Sequence, residues 1–286
     1  MDKVWFVTGS TRGFGRKLVE AALDAGDAVA ATARRPDRLV DLVDAYGDRV
    51  LPLPLDVTDA DAARTALATA RDHFGRVDVV VNNAGYANVA PIETGDTGDF
   101  RAQFETNFWG VYNVSKAAIP VLREQEGGLI IQFSSMGGRV GGSAGIASYQ
   151  AAKFAIDGFS RVLQTETAPF GIKVVVVEPS GFATDWAGSS MTIDDIPDRY
   201  ADTVGAMNAI RTSDAVTAGD PARAANILVR LSRRADVPYH LPLGVIAIEG
   251  AIRQDEALLA EDSEWAAVAR SADFAEPFPV DLPPVA

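Results

Sequence analysis

Near its start the chain reads VWFVTGSTRGFG (residues 4–15), a short apolar run followed by a turn with three glycines. Residues 4–8 are apolar and β-branched, as in a buried strand, and an amphipathic helical pattern follows over residues 16–25. A glycine turn between a strand and a helix directs backbone N–H groups and a helix N-terminus at one point, which suits a phosphate group. We therefore expect Gly9, Gly13 and Gly15 to form a phosphate-binding turn in an α/β fold.

Strand and helix patterns alternate along the rest of the chain. Further apolar runs predict strands at residues 28–33, 51–55, 77–81, 129–133, 173–177 and 239–243. Helical patterns cover residues 59–74, 100–122, 149–168 and 220–234, with Asp59 and Asp220 as expected caps. This alternation predicts right-handed β-α-β crossovers and a doubly wound, Rossmann-type parallel sheet of about seven strands with helices on both faces.

No linker or low-complexity segment interrupts this pattern. We expect one dinucleotide-binding and catalytic domain over residues 1–286, with its core at about 3–245. Residues 182–215 carry Phe182, Trp186, Met191 and Met207 among small polar residues, which favours a variable lid with apolar contacts, either to the substrate or only to the closed protein. A C-terminal extension over 246–286 is expected to hold helices at 246–260 and 264–269 before a Pro-rich tail.

Composition excludes several classes of function. The 286 residues include no cysteine and only two histidines, which are far apart, so thiolate catalysis and disulfides are excluded and no metal site is expected. The net charge of −13 disfavours binding to nucleic acid or to an anionic membrane. The N-terminus lacks an apolar segment long enough for a signal peptide or a membrane span, so we expect a cytoplasmic protein.

A candidate proton-transfer pair lies at the start of the predicted helix 149–168. Tyr149 precedes Lys153 by four residues, so both side chains should face the same side of the helix. A cation beside a phenol favours the phenolate and lowers the pKa of the phenol, which suits general acid–base catalysis. Ser134 and Ser135 follow the strand predicted at 129–133 and would place a hydroxyl at its carboxyl end. These groups together suit the polarisation and protonation of a carbonyl.

Arginines follow the second predicted strand and predict the cofactor. An acidic residue at this place in a dinucleotide fold binds the ribose hydroxyls, whereas arginine accommodates a 2′-phosphate. Ala33 occupies the acidic position, Arg34 and Arg35 follow it, and Arg12 lies in the glycine turn. Because arginine makes bidentate contacts with phosphate, this trio favours NADP(H) over NAD(H). The alternative is that Arg34 and Arg35 are solvated loop charges.

Other polar and small residues lie at predicted strand ends or inside a helix. Asp56 and Val57 follow the third strand, beside the expected adenine. The segment Asn82-Asn83-Ala84-Gly85 ends the fourth strand, where small side chains let the backbone approach a cofactor. Asn107 is unfavourable in the middle of a helix, which indicates a local polar role or simply an exposed side chain.

In their order and placement these residues resemble the short-chain dehydrogenase/reductase family, in its shorter single-domain branch. The resemblance covers residues 3–245 and rests on the glycine turn of spacing G-x-x-x-G-x-G, Asn82 to Gly85, Asn107, Ser135, Tyr149 and Lys153. It implies a nicotinamide cofactor and reversible hydride transfer between an alcohol and a carbonyl. Tyr149 is then the general acid/base, Ser135 a donor to the substrate oxygen, Lys153 a ligand of the nicotinamide ribose, and Asn107 the holder of a relay water.

Two departures from the family pattern follow. Ser135 lies 14 residues before Tyr149, slightly more than usual, so Ser135 is preferred to the more distant Ser134 and the loop at 137–147 absorbs the extra residue. The family more often has Pro-Gly where this chain has Pro179-Ser180-Gly181. The expected cofactor contacts are Gly9, Thr11, Arg12, Gly13, Phe14, Gly15, Arg34, Arg35, Asp56, Val57, Asn83, Ala84, Gly85, Tyr149, Lys153, Pro179, Gly181 and Thr184.

Partners and alternatives complete the expectations. The substrate is a small carbonyl or alcohol, and a homodimer or homotetramer is expected because relatives often assemble through helices such as 100–122 and 149–168. A serine hydrolase is an alternative, since residues 141–145 satisfy G-x-S-x-G at Ser143 and His240 lies downstream. A dinucleotide-sensing regulator without catalysis is another alternative, and a sugar-nucleotide epimerase or dehydratase is a third.

Overall fold

The computed structural model describes residues 3–184, 191–213 and 219–283. Its strands are β1 (Val4–Thr8), β2 (Ala28–Ala33), β3 (Val50–Pro54), β4 (Val79–Asn82), β5 (Ala87–Val89), β6 (Gly128–Phe133), β7 (Ile172–Pro179), β8 (Met191–Ile193) and β9 (His240–Leu243). Its α-helices are α1 (Gly13–Asp24), α2 (Val40–Tyr46), α3 (Ala60–Phe74), α4 (Thr97–Phe104), α5 (Gly110–Glu124), α6 (Ala147–Thr167), α7 (Ala206–Arg211), α8 (Pro221–Leu231) and α9 (Val245–Arg270). The predicted alternation of strands and helices is therefore present.

Seven of these strands form one parallel sheet in the order β3-β2-β1-β4-β6-β7-β9. The chain adds strands on one side of β1 and then returns to add β4 and its successors on the other side. This reversal places a crevice at the carboxyl ends of β1 and β4, where ligands bind in open α/β sheets. The prediction of a doubly wound, Rossmann-type parallel sheet of seven strands is confirmed.

The two faces of the sheet carry separate hydrophobic cores. In β1, Trp5 and Val7 point into a cluster that includes buried residues of α1 and α8. Phe6 points to the opposite face, into a cluster that includes buried residues of α3 and α5. Such strands are apolar throughout because helices cover both faces of the sheet. The crevice at the carboxyl edge is thus supported by packed layers on either side.

Helix starts agree with the predicted caps. The Asp59 carboxylate accepts hydrogen bonds from two backbone N–H groups in the first turn of α3, and Asp220 does the same for α8. Each cap satisfies donors that have no partner within the helix. These two starts are therefore fixed by the residues identified from the sequence.

Two helix predictions need correction. The helix expected over 100–122 is broken into α4, a π-helical turn at Glu105–Trp109, and α5. The two terminal helices expected at 246–260 and 264–269 are one continuous helix, α9. The polar stretch at 261–263 lies inside this helix, where the Ser263 hydroxyl donates to the Leu259 carbonyl oxygen, 2.6 Å away.

The region expected to form a lid holds regular structure where it is described. Strand β8 pairs in parallel with β5 to form a separate two-stranded sheet, and α7 follows a π-helical turn at Ala201–Gly205. Val204 and Met191 join a small apolar cluster with Tyr149. Trp186 lies outside the described residues, and the expectation that this region moves stays a prediction. In the described part of the chain, no helix is long and apolar enough to cross a membrane.

Candidate active site

The glycine turn between β1 and α1 is closely packed. Gly9 and Gly13 have φ angles of +70° and +55°, in the left-handed region that favours glycine. A Cβ atom on Gly15 would lie 2.3 Å from the carbonyl oxygen of Gly9, so no other residue fits there without a shift of the backbone. Thr11 and Arg12 complete the turn, and the first helical residue is Gly13. The turn thus leaves its backbone open to a phosphate group at the start of α1, as a bound dinucleotide requires.

Thr8 and Asn83 join the glycine turn to the end of β4. The Thr8 hydroxyl accepts hydrogen bonds from the backbone N–H groups of Asn83 (2.9 Å) and Ala84 (3.0 Å). The Asn83 side-chain amide donates to the carbonyl oxygens of Thr8 (3.0 Å) and Gly9 (3.3 Å). Asn83 was expected to contact the cofactor, but its amide is engaged in holding the turn. That Thr8 joins these two strand ends was not predicted from the sequence, although Thr8 is the residue that ends β1.

Two of the three arginines predicted to bind a 2′-phosphate, Arg34 and Arg35, differ in their ion pairing. The Arg35 guanidinium pairs with Asp37 at 2.9 Å, and both side chains are exposed. Arg34 is also exposed, and it pairs with no carboxylate in residues 3–184, 191–213 and 219–283. No acidic side chain occupies the end of β2, because Ala33 is its last residue. Arg34 is therefore better placed than Arg35 to meet an added phosphate.

Further expected cofactor contacts lie around the same crevice. Asp56 accepts hydrogen bonds from the backbone N–H (3.0 Å) and the hydroxyl (2.8 Å) of Thr58, which fixes the turn after β3. Val57 lies beside it and packs in the core. Phe14 lies 4.8 Å from Phe182 between ring centroids, so both rings form an apolar wall of the crevice. The crevice is also lined by the expected contacts Asn83, Gly85, Pro179, Gly181 and Thr184.

Ser135, Tyr149 and Lys153 come together at one cavity of about 330 Å³. The Ser135 side chain lies close enough to the Tyr149 phenol to oppose the rise in its pKa. The Lys153 Nζ atom lies 5.5 Å from the centre of the Tyr149 ring and donates to the Phe133 carbonyl oxygen at 2.6 Å. Ser134 has a different position, because its buried hydroxyl donates to the Lys153 carbonyl oxygen at 3.0 Å. The geometry thus supports the choice of Ser135 over Ser134.

Burial has the largest effect on the pKa values of Tyr149 and Lys153. It raises the pKa of Tyr149 to about 12, although the Ser135 side chain acts in the opposite direction. Burial also lowers the pKa of Lys153 to about 8, because a desolvated ammonium is disfavoured. The expectation that Lys153 brings the phenol pKa down is therefore wrong for the protein alone. A phenol that keeps its proton is, however, a competent proton donor to a substrate oxygen.

A second Tyr-x-x-x-Lys pair provides an internal comparison. In α5 the Lys116 Nζ atom also lies 5.5 Å from the centre of the Tyr112 ring. Lys116 is exposed, whereas Lys153 is only 4% exposed. Neither Tyr112 nor Lys116 lines the cavity that holds Ser135. Sequence spacing alone does not separate these two pairs, and burial beside a cavity does.

Asn107 lies in the π-helical turn and is fully buried. Its side-chain oxygen accepts from the Tyr86 backbone N–H at 3.0 Å, and its amide nitrogen donates to the Tyr86 carbonyl oxygen at 2.8 Å. A Cβ atom on Gly85 would lie 2.8 Å from the Asn107 oxygen and 3.8 Å from Lys153 Nζ, so these groups are neighbours. Asn107 therefore has the predicted local polar role and is not an exposed residue. π-Helical turns are frequent at functional sites.

The hydrolase alternative lacks its required contact. The Ser143 hydroxyl accepts a hydrogen bond from the Arg211 guanidinium at 2.7 Å. His240 lies on β9, the last strand of the sheet, and its Nε2 atom is 2.7 Å from an Asp157 carboxylate oxygen. Ser143 and His240 make no hydrogen bond to each other in the described structure, and Ser143 follows a loop instead of a strand. The G-x-S-x-G match is therefore not a nucleophile elbow.

Comparison with known proteins identifies the family. Residues 3–193 match the short chain dehydrogenase family. Over 267 residues the chain is 48% identical to oxidoreductase BOA17 of Botryotinia fuckeliana, which covers 93% of this chain and 97% of that protein. A short-chain dehydrogenase from Streptomyces avermitilis has a crystal structure that superposes with a TM-score of 0.88 at 38% identity, covering 95% of this chain and 100% of that one. An alcohol dehydrogenase from Thermococcus sibiricus, complexed with 5-hydroxy-NADP, gives a TM-score of 0.69 at 25% identity over 84% of this chain and 95% of that one.

The fold and these matches define an oxidoreductase built to bind a nicotinamide dinucleotide. The chain belongs to the short-chain dehydrogenase/reductase family, as its sequence motifs indicated. Among the described residues, no group of three or more His, Cys, Asp or Glu side chains is arranged to hold a metal ion.

Proposed function

We propose that this protein is an NADP(H)-dependent reductase or dehydrogenase that interconverts a carbonyl and an alcohol, with Tyr149 as its general acid and base. One observation supports this function above the others. Ser135, Tyr149 and Lys153 line one cavity at the carboxyl edge of the sheet, and Ser135 opposes the rise in the pKa of the Tyr149 phenol there. A regulator that only sensed dinucleotides would not require this arrangement.

The bound nicotinamide supplies or accepts the hydride, and the side chains of this chain manage the proton. In the reducing direction Tyr149 donates its phenolic proton to the substrate oxygen. Ser135 donates a hydrogen bond to the same oxygen and stabilises the negative charge that develops on it. Lys153 is held by the Phe133 carbonyl beside the phenol. With the dinucleotide bound, its ammonium would hold the nicotinamide ribose and favour renewed ionisation of Tyr149. Asn107 holds the backbone at Tyr86, beside Gly85 and Lys153, where a relay water would be bound.

NADP(H) is the proposed cofactor because of charge at the end of β2. Arg34 has no carboxylate partner in the described part of the chain, and β2 ends without an acidic side chain. Arginine recognises a phosphate through bidentate hydrogen bonds, whereas ribose hydroxyls call for an acidic residue. Arg12 in the glycine turn supports the same choice. The cofactor would lie across Gly9 to Gly15, Asp56, Val57, Ala84, Gly85, Pro179, Gly181 and Thr184.

We also propose a single catalytic domain over the chain, acting on a small molecule as a cytoplasmic homodimer or homotetramer. One sheet extends in sequence from β1 to β9, and hydrophobic cores cover both of its faces, which supports one domain. The net charge of −13 argues against nucleic acid and anionic membranes as partners.

Tyr149→Phe tests the function. We expect turnover of carbonyl substrates with NADPH to fall by roughly a thousandfold or more, since general acid catalysis and the oriented hydroxyl are both lost. NADPH binding, followed by fluorescence, should stay within about threefold, because contacts to the rest of the dinucleotide remain. Tyr112→Phe is the matched control, since Tyr112 stands in the second Tyr-x-x-x-Lys pair. Retained turnover in Tyr149→Phe would contradict the proposed role.

A further inference from the structure

A polar cluster of Ser143, Gln150 and Arg211 forms part of the wall of the cavity, and the chemistry assigned to Tyr149 does not use it. Arg211, the last residue of α7, donates to the Ser143 hydroxyl at 2.7 Å and also to the Ala144 carbonyl oxygen. The Gln150 side-chain oxygen accepts from the Ser143 backbone N–H at 3.3 Å. The end of α7 is thus joined to the loop at Ser143 and the first turn of α6 at one side of the cavity.

This cluster has more hydrogen-bond donors than acceptors. The Arg211 Nη1 atom and the Gln150 Nε2 atom are buried, and neither has an acceptor among the described residues. A buried donor without a partner destabilises a protein, so such groups are few in native structures. The surplus suits a ligand group that only accepts hydrogen bonds.

The charge of Arg211 is also unbalanced. Two other partly buried arginines, Arg139 and Arg233, form ion pairs with the buried carboxylates of Glu178 and Asp27. Arg211 forms none in residues 3–184, 191–213 and 219–283, although it is half-buried and burial lowers its pKa. The cavity is lined by two charged side chains, Lys153 and Arg211, and by no aspartate or glutamate of the described chain. Although the whole protein has a net charge of −13, the charged side chains that line this cavity are positive and favour an anion.

Apolar side chains surround the cluster. Met207 and Ile210 line the cavity from the same helix as Arg211, and Val140 and Ile146 line it from the loop and the start of α6. Ile210 is 54% exposed, which leaves an apolar surface at the cavity edge. A ligand that fills this space has an apolar body as well as its charged end.

We infer that the Ser143–Gln150–Arg211 cluster binds the carboxylate of the substrate, and that the substrate class is therefore an oxo acid, or the corresponding hydroxy acid, with an apolar chain. This inference rests on the proposed function, because it places the reacting carbonyl at Tyr149 in the same cavity. A carboxylate fits better than a phosphate, since a single guanidinium matches one negative charge and the other lining cation, Lys153, is engaged beside Tyr149.

Turnover provides the first test. The kcat/KM values of the wild-type protein are compared for aliphatic oxo acids of increasing length and for their methyl esters, with NADPH. We expect each acid to be preferred over its ester by roughly 10- to 100-fold, the range for a charged hydrogen-bonded pair. Arg211→Met should remove this preference, Arg211→Lys should reduce it, and Arg253→Met on the exposed face of α9 should leave it unchanged. Equal rates for acid and ester in the wild type, or an unchanged preference in Arg211→Met, would overturn the inference.

A binding measurement separates this inference from the proposed function. Octanoate and octanamide are titrated into the wild-type protein and into the Arg211 variants, with calorimetry as the readout and melting curves to verify folding. We expect octanoate to bind at least about tenfold tighter than octanamide in the wild type only. If octanoate binding depends on Arg211 but no carbonyl compound is turned over, the anion site stands and the proposed function fails. If carbonyls are reduced but octanoate binds no better than octanamide, the inference fails and the proposed function stands. Should Arg211→Met not fold, Arg211→Lys decides by the same comparison.

Discussion

The Lys153 ammonium donates a hydrogen bond to the main-chain carbonyl oxygen of Phe133, at a distance of 2.6 Å, and both residues line the cavity beside Tyr149. Phe133 is the last residue of β6, so the lysine is oriented by the sheet and not by an acidic side chain. A carbonyl dipole orients a buried ammonium but compensates its lost hydration only in part. The lowered pKa of Lys153, about 8, is the result.

The stability of the protein without added dinucleotide should therefore depend on pH through Lys153. The folded protein releases this proton near pH 8, and the unfolded chain releases it near 10.5. Between these values the unfolded state binds more protons, so wild-type stability should rise with pH, by roughly 3 kcal/mol at most. Urea unfolding at pH 7.5 and 10 should show that Lys153→Met lacks this rise, whereas the exposed-site variant Lys116→Met keeps it. Equal pH slopes for Lys153→Met and the wild type would show that Lys153 is not desolvated.

Removal of the Asn107 side chain should cost both stability and activity. Asn107→Ala leaves the N–H and the C=O of Tyr86 without their partners in a partly buried place, which we expect to destabilise the fold by about 1–3 kcal/mol. Turnover should also fall, because the backbone at Gly85 is no longer fixed next to Lys153. Melting curves and steady-state rates measure the two effects. Asn226→Ala, an exposed asparagine in α8, is the control and should alter neither; a similar loss in both variants would argue against a specific role for Asn107.

Arg34 and Arg35 should differ in their effect on the cofactor. Arg34→Ala should raise the KM for NADPH by roughly 10- to 100-fold and change the KM for NADH little, because it removes a contact with the added phosphate. Arg35→Ala should have a smaller effect, since the Arg35 guanidinium is already engaged with Asp37. Parallel KM measurements with both cofactors provide the comparison. An equal loss with NADPH and NADH in Arg34→Ala would refute the 2′-phosphate contact.

A methyl group at Gly15 should abolish dinucleotide binding. The added Cβ atom would lie 2.3 Å from the Gly9 carbonyl oxygen, so the whole turn has to move. Gly158→Ala is the matched control in α6, where an added Cβ meets no atom within 4 Å, and it should stabilise the protein by about 1 kcal/mol through helix propensity. Equilibrium binding of NADPH and thermal melting distinguish the two variants. Normal binding by Gly15→Ala would show that the turn adapts to a side chain.

Residues that act through local pattern were predictable from the sequence. The apolar runs that became β1, β2 and β6 and the caps Asp59 and Asp220 depend on neighbours a few positions away, and they were found. The break at Glu105–Trp109 was missed because one extra residue in a helical turn leaves its composition unchanged. The small sheet of β5 and β8 was missed because each strand has only three residues and they pair across a long stretch of chain.

The site was predictable in its members but not in its energetics. Tyr149 and Lys153 were identified from their spacing, yet the same spacing occurs at Tyr112 and Lys116 on an exposed helix face. The direction of the pKa shift of Tyr149 was predicted wrongly, because burial, which raises the pKa of the phenol, is a property of the assembled fold. Arg211 was missed as a lining residue because its partners come from loops that only the fold brings near it.

The pairing of β8 with β5 forms a small sheet that is separate from the seven-stranded sheet. Main-chain hydrogen bonds along this small sheet anchor the segment that leads to α7, while α7 itself lies outside the large sheet. We therefore expect substitutions at Met207 and Ile210, which line the cavity from α7, to change which compounds the protein accepts while β1 and the glycine turn keep their structure.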